Sequence, residues 1–280
     1  MTEIGKYNLL KIVKKVDFGM YLDGEELGEI LLPQKYAPQD RAIGDQIKVF
    51  IYLDSKDRII ATTQKPYASV GQFAMLRVVS ATAIGAFLDW GLEKDLLVPF
   101  REQKEKMQQG NHYVVYVYLD KKTNRIAASS KLEKYLGRQE ADYTVGQLVD
   151  LLIAEQTDLG YYAIINNSHK GLLYKDRLFR PLKIGQRVSG VVEKIRMDGK
   201  IDLSLQKAGY EKVDELSGRI LARLEKSGGR LELTDKTPPE TIYKLFGVSK
   251  KTFKKALGGL YKKRMIVLEN SGIRLIKRGI

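Results

Sequence analysis

The sequence lacks cysteine altogether, has only two histidines and contains no long apolar run. Without cysteine the chain can form neither disulfides nor thiolate metal sites, which is typical of proteins in a reducing cytosol. No segment approaches the roughly 20 apolar residues of a membrane-spanning helix, and the opening MTEIGKYNLL lacks the apolar core of a secretory signal. We therefore expect a cytoplasmic protein that has no membrane partner.

Recognisable catalytic and metal-binding motifs are also missing. His112 and His169 belong to different segments and share no motif, and both are predicted to lie at the protein surface. The zinc-protease, P-loop and serine-hydrolase signatures are absent. Aspartates such as Asp54 and Asp120 fall in predicted turns, where Asp forms local hydrogen bonds, and not in a cluster that could hold metal ions. We therefore predict no enzymatic activity, cofactor, metal site or small-molecule substrate.

Positive charge is abundant and unevenly distributed. The formal net charge is +14, and residues 210–280 alone hold 17 basic and 8 acidic side chains, whereas residues 1–65 are neutral overall. A basic surface of this kind favours nucleic acid, anionic lipid or the ribosome as a partner, and charge alone does not choose among them.

Three glycines recur at one spacing in three consecutive segments. Their separations are 14 and 25 residues in every copy, and VGQF at 70–73 matches VGQL at 145–148. The glycines are Gly5, Gly19 and Gly44, then Gly71, Gly85 and Gly110, then Gly146, Gly160 and Gly185. The chain therefore contains three copies of one unit. The longer interval before the third copy leaves room for a mobile or helical spacer at Lys131–Asp142.

Each copy has the pattern of a small β-barrel. Stretches rich in Val, Ile and Tyr occur at the same place in each copy and end in turn residues: Lys48–Asp54, Tyr113–Asp120 and Arg187–Arg196. About five such strands in roughly 65–75 residues predict a closed five-stranded OB-fold barrel, with an SH3-like barrel as the alternative. Closed barrels have no free edges and suit an arrangement like beads on a string. The predicted barrels are residues 1–65, 66–131 and 143–207.

A helical period replaces the strand pattern after the third copy. Apolar residues at a spacing of three to four predict an amphipathic helix at Tyr210–Lys226. Two further helices are predicted to follow, with Thr237 and Ser249 as their N-caps. Asn270–Gly272 predicts the turn of a hairpin, and hence a wing. Residues 210–280 are therefore predicted to form a winged helix-turn-helix. The whole chain is predicted to be mainly β with a C-terminal α+β domain.

The repeated motifs resemble the S-one RNA-binding domain, which is named for the largest protein of the small ribosomal subunit. The resemblance covers residues 3–63, 69–130 and 144–206 and rests on the G-Q pair, the middle glycine with its aromatic strand, and the [VI]-G-[DQ] turn. With the C-terminal domain, the whole chain resembles the bacterial conserved virulence factor B family of RNA-binding regulators. That resemblance implies control of gene expression after transcription, virulence traits included.

The resemblance also implies a set of RNA-binding side chains. The domain family carries an aromatic just before the middle glycine, another two residues after it, and a histidine fourteen residues after it. Pro33 and Pro99 replace that histidine in the first two copies, so each barrel is expected to bind weakly and affinity to come from linking several. Each stacked base contributes about 1–3 kcal/mol. The implied contacts are Phe18, Tyr21, Phe87, Tyr162 and Tyr174, with Lys175 and Arg177 beside the last.

The third predicted helix of the winged helix carries a basic face. At 100° per residue its lysines cluster opposite the apolar stripe, and two basic residues follow toward the wing: Lys251, Lys254, Lys255 and Lys262, then Lys263 and Arg264. A helix in this position commonly enters the DNA major groove. This one offers almost no Asn, Gln or Arg to recognise base edges, and lysines suit phosphate contacts.

These patterns together predict a non-enzymatic regulator that binds single-stranded RNA. The barrels would form a track on which bases stack, and the winged helix would hold phosphates. Two alternatives stay open from the sequence. One is a winged-helix transcription factor that binds duplex DNA, and the other is an accessory protein that binds the ribosome or a ribonuclease.

Overall fold

The computed structural model describes two units of the chain, Met1–Ser204 and Leu205–Ile280. The described residues are 1–137, 141–178, 181–205, 208–234, 237–269 and 271–276, with backbone only for 208–215. Within these ranges no helix is both long and apolar enough to cross a membrane.

Three closed five-stranded barrels follow one another along the chain. The first contains β1 (Tyr7–Val16), β2 (Gly19–Asp23), β3 (Glu29–Pro33), β4 (Gln46–Leu53) and β5 (Ile59–Thr62). The second contains β6 (Phe73–Thr82), β7 (Gly85–Asp89), β8 (Leu96–Pro99), β9 (His112–Leu119) and β10 (Ile126–Ser129). The third contains β11 (Leu148–Gln156), β12 (Gly160–Ile165), β13 (His169–Tyr174), β14 (Arg187–Ile195) and β15 (Ile201–Leu205). The spatial order of first, second, third, fifth and fourth strand is that of the OB-fold, which confirms the predicted fold.

The first strand of every barrel carries a β-bulge at the same place. The register shifts between Ile12 and Lys14 in β1, and the shift recurs at the equivalent position of β6 and β11. In β1, residues 7–11 pair with the fourth strand, and the residues from Ile12 onward, on both sides of the bulge, pair with the second. Because a bulge bends a strand and increases its twist, one long strand can pair on both sides and close the barrel.

The middle glycine of each repeat lies where two strands approach closely. Gly19, Gly85 and Gly160 begin the second strand of their barrels. A Cβ at these positions would lie 2.2, 2.3 and 2.0 Å from a carbonyl oxygen of the third strand. No larger residue fits there, which explains why the repeat keeps this glycine.

The first and second barrels share contacts and are not separate beads. Phe50 of β4 is completely buried, and its ring centroid lies 5.8 Å from that of Trp90, which follows β7 and is also buried. Asp57, in the β4–β5 turn, pairs with Lys94 of the second barrel at 3.0 Å and with Arg125. A shared apolar core and these ion pairs join the two barrels.

The second and third barrels are joined by side chain to backbone hydrogen bonds. The Asn167 side chain, in the β12–β13 turn, accepts a hydrogen bond from the Phe73 N–H at 2.7 Å and donates one to the Gly71 carbonyl at 2.7 Å. Arg187 of β14 donates to the Phe73 carbonyl at 2.9 Å. The suggestion of beads on a string was therefore wrong for this junction too, because barrels without free edges still dock through their faces and turns.

The spacer before the third barrel is partly helical. Leu132–Tyr135 forms a short 3-10 helix. The Tyr135 ring stacks on Tyr116 of β9, with centroids 4.1 Å apart and planes at 20°. Residues 138–140 of the predicted spacer lie outside the described residues. The short helix of the spacer is therefore packed against the second barrel through Tyr135.

The second unit is a winged helix, as predicted. Its elements are α1 (Ala208–Lys226), β16 (Arg230–Leu231), α2 (Pro239–Phe246), α3 (Lys250–Lys262), β17 (Ile266–Glu269) and β18 (Gly272–Leu275), and the sheet order is β16-β18-β17. In its core, Ile220 and Leu224 of α1 pack with Phe246 of α2 and Phe253 of α3. The rings of the two phenylalanines stack, with centroids 5.4 Å apart. The β17–β18 hairpin is the wing.

The predicted cap of α2 is wrong by one residue. The N-cap is Pro238, which has no side-chain acceptor, and the helix begins at Pro239. A residue before proline avoids the helical conformation, so Pro239 keeps Pro238 extended, with ψ at 141°. Thr237 instead accepts a hydrogen bond from the Thr234 N–H at 2.8 Å. Ser249 caps α3 as predicted, accepting from the Thr252 N–H at 3.2 Å.

Gly258→Ala is expected to stabilise α3 by about 1 kcal/mol, because glycine inside a helix costs roughly that much relative to alanine. A Cβ on Gly258 would meet nothing within 4 Å. Gly247→Ala is the control: its Cβ also meets nothing, but its φ is +66°. Hydrogen exchange of the α3 amides should slow in the first variant and accelerate in the second. Faster exchange in Gly258→Ala would contradict this prediction.

Candidate nucleic-acid interface

The third barrel brings two predicted stacking residues together. In the antiparallel register of β12 and β13, Tyr162 lies opposite Leu172, and Tyr174 lies opposite Gly160. Residues two apart share a face, so the two tyrosines are diagonal neighbours on the same face of the strand pair. Both side chains are half-buried. Each ring therefore has one surface fixed by the protein and another that solvent can reach.

Cations surround the Tyr174 ring. The guanidinium carbons of Arg177 and Arg196 lie 5.1 and 5.9 Å from its centroid. The Arg196 guanidinium donates to the Tyr174 hydroxyl and pairs with Asp202 at 2.9 Å. The hydrogen bond to Asp202 raises the pKa of Arg196. Lys175 and Arg177, on the short 3-10 helix after β13, are both exposed.

Arg196 is a site residue that the sequence analysis missed. It is the first residue of the β14–β15 turn, and its N–H donates to the Lys200 carbonyl at 2.9 Å. Asp54 and Asp120 occupy the same turn position in the other barrels. A search for positions where the charge of the residue differs between the three copies, instead of positions that the copies share, would have found Arg196.

Lys170 is a second residue that was missed. Its Nζ lies 3.8 Å from the centroid of the Tyr162 ring, close enough for a cation–π interaction. The same ammonium group pairs with Glu133 of the spacer. Lys170 is eight residues from Tyr162 along the chain, and only the β12–β13 hairpin brings the two together.

The first barrel presents its predicted pair at an exposed corner. Phe18 is 59% exposed and Tyr21 is half-buried, and their rings are edge to face with centroids 6.3 Å apart. Lys14 Nζ lies 5.7 Å from the Tyr21 centroid. The bulge in β1 sets Lys14 opposite Tyr21, so the strand alternation of the sequence could not predict this contact.

The second barrel places Phe87 in different surroundings. Phe87 lines a cleft of about 370 Å³ that the first barrel also lines. The charged residues that line this cleft are two basic ones, Lys94 and Arg125, and three acidic ones, Asp57, Asp95 and Asp120. Burial raises the pKa of Asp95, and the nearby Asp89 adds to the effect. An acidic majority beside Phe87 disfavours phosphate.

The winged helix exposes the predicted basic residues. Every one is exposed: Lys251, Lys254, Lys255, Lys262, Lys263 and Arg264. Phe253 and Leu257 of the opposite face are buried. Tyr261, which is 55% exposed, falls on the lysine side at 100° per residue and was missed, although the helical period alone could have found it.

His169 is buried and not at the surface, so its prediction was wrong. The sequence predicted that His169 lies in a turn at Asn166–Lys170, but the turn ends at Ser168, two residues earlier, and His169 begins β13. Its Nδ1 lies 3.0 Å from the Tyr143 hydroxyl, and burial raises the pKa of Tyr143. His112 is exposed at the start of β9, as predicted. In the part of the chain that the structure describes, no three His, Asp or Glu side chains come close enough to hold a metal ion.

Comparison with known proteins agrees with this architecture. The S1 domain family matches residues 4–64 and 70–130, and the CvfB-like winged helix domain matches residues 218–275. Conserved virulence factor B of Staphylococcus saprophyticus is 23% identical and aligns with 99% of this chain and 95% of its own length. The YitL protein of Bacillus subtilis is 29% identical, with 95% and 91% covered.

A crystal structure of a multidomain protein with nucleic acid binding domains from Streptococcus pneumoniae is also similar, at 26% identity, 98% coverage of both chains and a TM-score of 0.41. The matched domains together span more than half of the chain, and they are nucleic-acid-binding domains. The third barrel repeats the strand order, bulge and glycine of the two that match the S1 domain. The chain therefore belongs to the conserved virulence factor B family, in which S1 domains precede a CvfB-like winged helix domain.

Proposed function

We propose that this protein is a non-enzymatic regulator of gene expression that binds single-stranded RNA. Bases stack on the aromatic side chains of the barrels, and lysines of the winged helix hold phosphates. The observation that carries the proposal is the third barrel face, where Tyr162 and Tyr174 are neighbours and each has a cation against its ring.

Half-buried rings on a barrel face favour a single strand over a duplex. A base can stack on such a ring only when it is unpaired and turned outward, and RNA is usually recognised in this way. Cations next to the rings suit the phosphates on either side of a stacked base. Phe18 and Tyr21 repeat the arrangement with Lys14, whereas Phe87 is expected to contribute least because of its acidic surroundings.

The winged helix is proposed to bind the same strand without recognising its sequence. The exposed side of α3 carries lysines and Tyr261, and lysine contacts phosphates as a point charge. This composition favours RNA over a particular DNA duplex, whose base edges are recognised mainly by Arg, Asn and Gln. The functional units are proposed to be residues 1–65, 66–131, 143–207 and 210–280.

Replacing both Tyr162 and Tyr174 by alanine is expected to lower the affinity for single-stranded RNA at least tenfold, because each stacked base contributes about 1–3 kcal/mol. The affinity for duplex DNA should change little. Fluorescence anisotropy with labelled single-stranded RNA, single-stranded DNA and duplex DNA of equal length, over a series of salt concentrations, measures these affinities.

Two variants serve as controls for this experiment. Tyr67→Ala removes an exposed tyrosine that precedes the second barrel, and Tyr174→Phe keeps the ring while removing the hydroxyl that Arg196 contacts. Both should retain most of the RNA affinity. Equal losses on single strands and duplex would rule out the stacking role, and tightest binding to duplex DNA would favour the transcription-factor alternative.

A further inference from the structure

A cleft of about 750 Å³ lies between the second and third barrels. Tyr162, Ala154 and Ile164 of the third barrel line one wall, Tyr113 and Val114 of the second barrel line another, and the spacer lines a third. A volume of this size is typical of sites that enclose a small organic ligand. The proposed stacking residue Tyr162 therefore faces a walled cleft and not an open barrel surface.

The cleft is built into the junction between the two barrels. Phe73 and Val114 of the second barrel pack against Leu152 and Ile164 of the third in one apolar cluster. The hydrogen bonds of Asn167 and Arg187 to backbone groups of the second barrel join the same two bodies. Packing and hydrogen bonds on this scale preform the cleft, so that little ordering is needed when a ligand binds.

Its charged lining favours an anion. Lys104, Lys131, Lys134 and Lys170 line the cleft together with Glu105, Glu133 and Glu155. The Lys104–Glu155 pair at 2.8 Å is exposed to solvent, and such pairs contribute little to stability. A phosphate can therefore replace the carboxylate at small cost. The cleft between the first and second barrels has the opposite, acidic majority.

We propose that this cleft binds the RNA segment that includes the base stacked on Tyr162. The base enters between the two barrels, against Tyr162 and the apolar lining, and Lys170 contacts its phosphate. Lys104, on the wall of the second barrel, and Lys131, at the start of the spacer, bind the phosphates of neighbouring nucleotides. This inference rests on the proposed function, and it adds that the second barrel takes part in RNA binding through this wall instead of through Phe87.

The test is the double variant Lys104→Ala, Lys131→Ala in the full chain, with single-stranded RNA. Each lost phosphate contact should reduce the slope of log K against log salt by about 0.7. Two contacts then predict a fall in affinity of about 25-fold at 0.1 M salt. The matched control is Lys121→Ala, Lys122→Ala, which removes the same charge from the exposed β9–β10 turn of the same barrel. It should change the affinity much less.

Crosslinking provides a second measurement that does not depend on a variant. RNA that contains 4-thiouridine should crosslink to Tyr113 or to the spacer segment 131–136, as located by mass spectrometry. The cleft proposal is overturned if the double variant binds RNA like its control and the crosslinks are confined to the third barrel. The proposed function still stands in that case, provided that the Tyr162 and Tyr174 variant binds RNA weakly. If the tyrosine variant also binds normally, the proposed function fails.

Discussion

Replacing Lys251, Lys254 and Lys255 by alanine is expected to lower the affinity for single-stranded RNA about 100-fold at 0.1 M salt. Each phosphate contact releases counterions and contributes about 0.7 to the slope of log K against log salt, so three contacts remove about 2 from the slope. All three lysines are exposed on α3, opposite its buried face, so the variant should fold. Anisotropy titrations at several salt concentrations measure both quantities.

A matched control distinguishes phosphate binding by these α3 lysines, called the lysine clamp, from a general effect of net charge. Lys56, Lys121 and Lys122 are exposed in turns of the first two barrels, and replacing them removes the same number of charges. The α3 variant should lose affinity equally for RNAs of different sequence, because phosphate contacts do not distinguish bases. An equal loss in the control would attribute the effect to net charge, and unchanged binding in the α3 variant would exclude the clamp.

Asn167→Ala is expected to destabilise the first unit by the largest amount of any single substitution considered. It leaves the Phe73 N–H and the Gly71 carbonyl without their partners at the junction of the second and third barrels. An unsatisfied buried group costs about 1–3 kcal/mol, and two partly buried groups lose their partners here. Hydrogen exchange of β6 and β12 amides in the full chain measures the loss as faster opening.

The same substitution at Asn124 is the control for backbone strain. Asn124 has a φ of +54° and Asn167 one of +59°, so alanine is disfavoured to a similar extent at both positions. Asn124 is exposed in the β9–β10 turn. Asn124→Ala should therefore cost much less than Asn167→Ala. Similar costs would show that strain, and not the bridge between barrels, determines the effect.

Local patterns were sufficient to predict the architecture. The glycine spacing identified three copies because close strand approach excludes a Cβ at the same point of each barrel. The predicted strand Lys48–Asp54 corresponds to β4, Gln46–Leu53, because alternation and turn residues act within a few positions. The apolar stripe and the exposed lysines of α3 followed from a helical period of 3.6 residues.

Such local patterns could not predict how the barrels dock against one another. The Asn167 side chain bridges residues 94 and 96 positions away, and no periodicity in the sequence relates them. The surface position predicted for His169 was wrong because the turn is two residues shorter than expected, so that His169 lies in a strand. The β-bulge likewise changes which residues face Tyr21, since one extra residue reverses the alternation that follows it.

The sequence by itself predicted three OB-fold barrels, a winged helix and most of the aromatic and basic residues proposed to bind RNA, but not Lys170 or Arg196. Tertiary structure alone decided their surroundings: Phe87 faces an acidic cleft, whereas Tyr162 faces a cleft whose walls, from two barrels and the spacer, all carry lysines. Turns and spacers from neighbouring barrels supply those walls. Contacts between distant segments depend on how whole barrels pack, and the local periodicity of the sequence does not predict that packing.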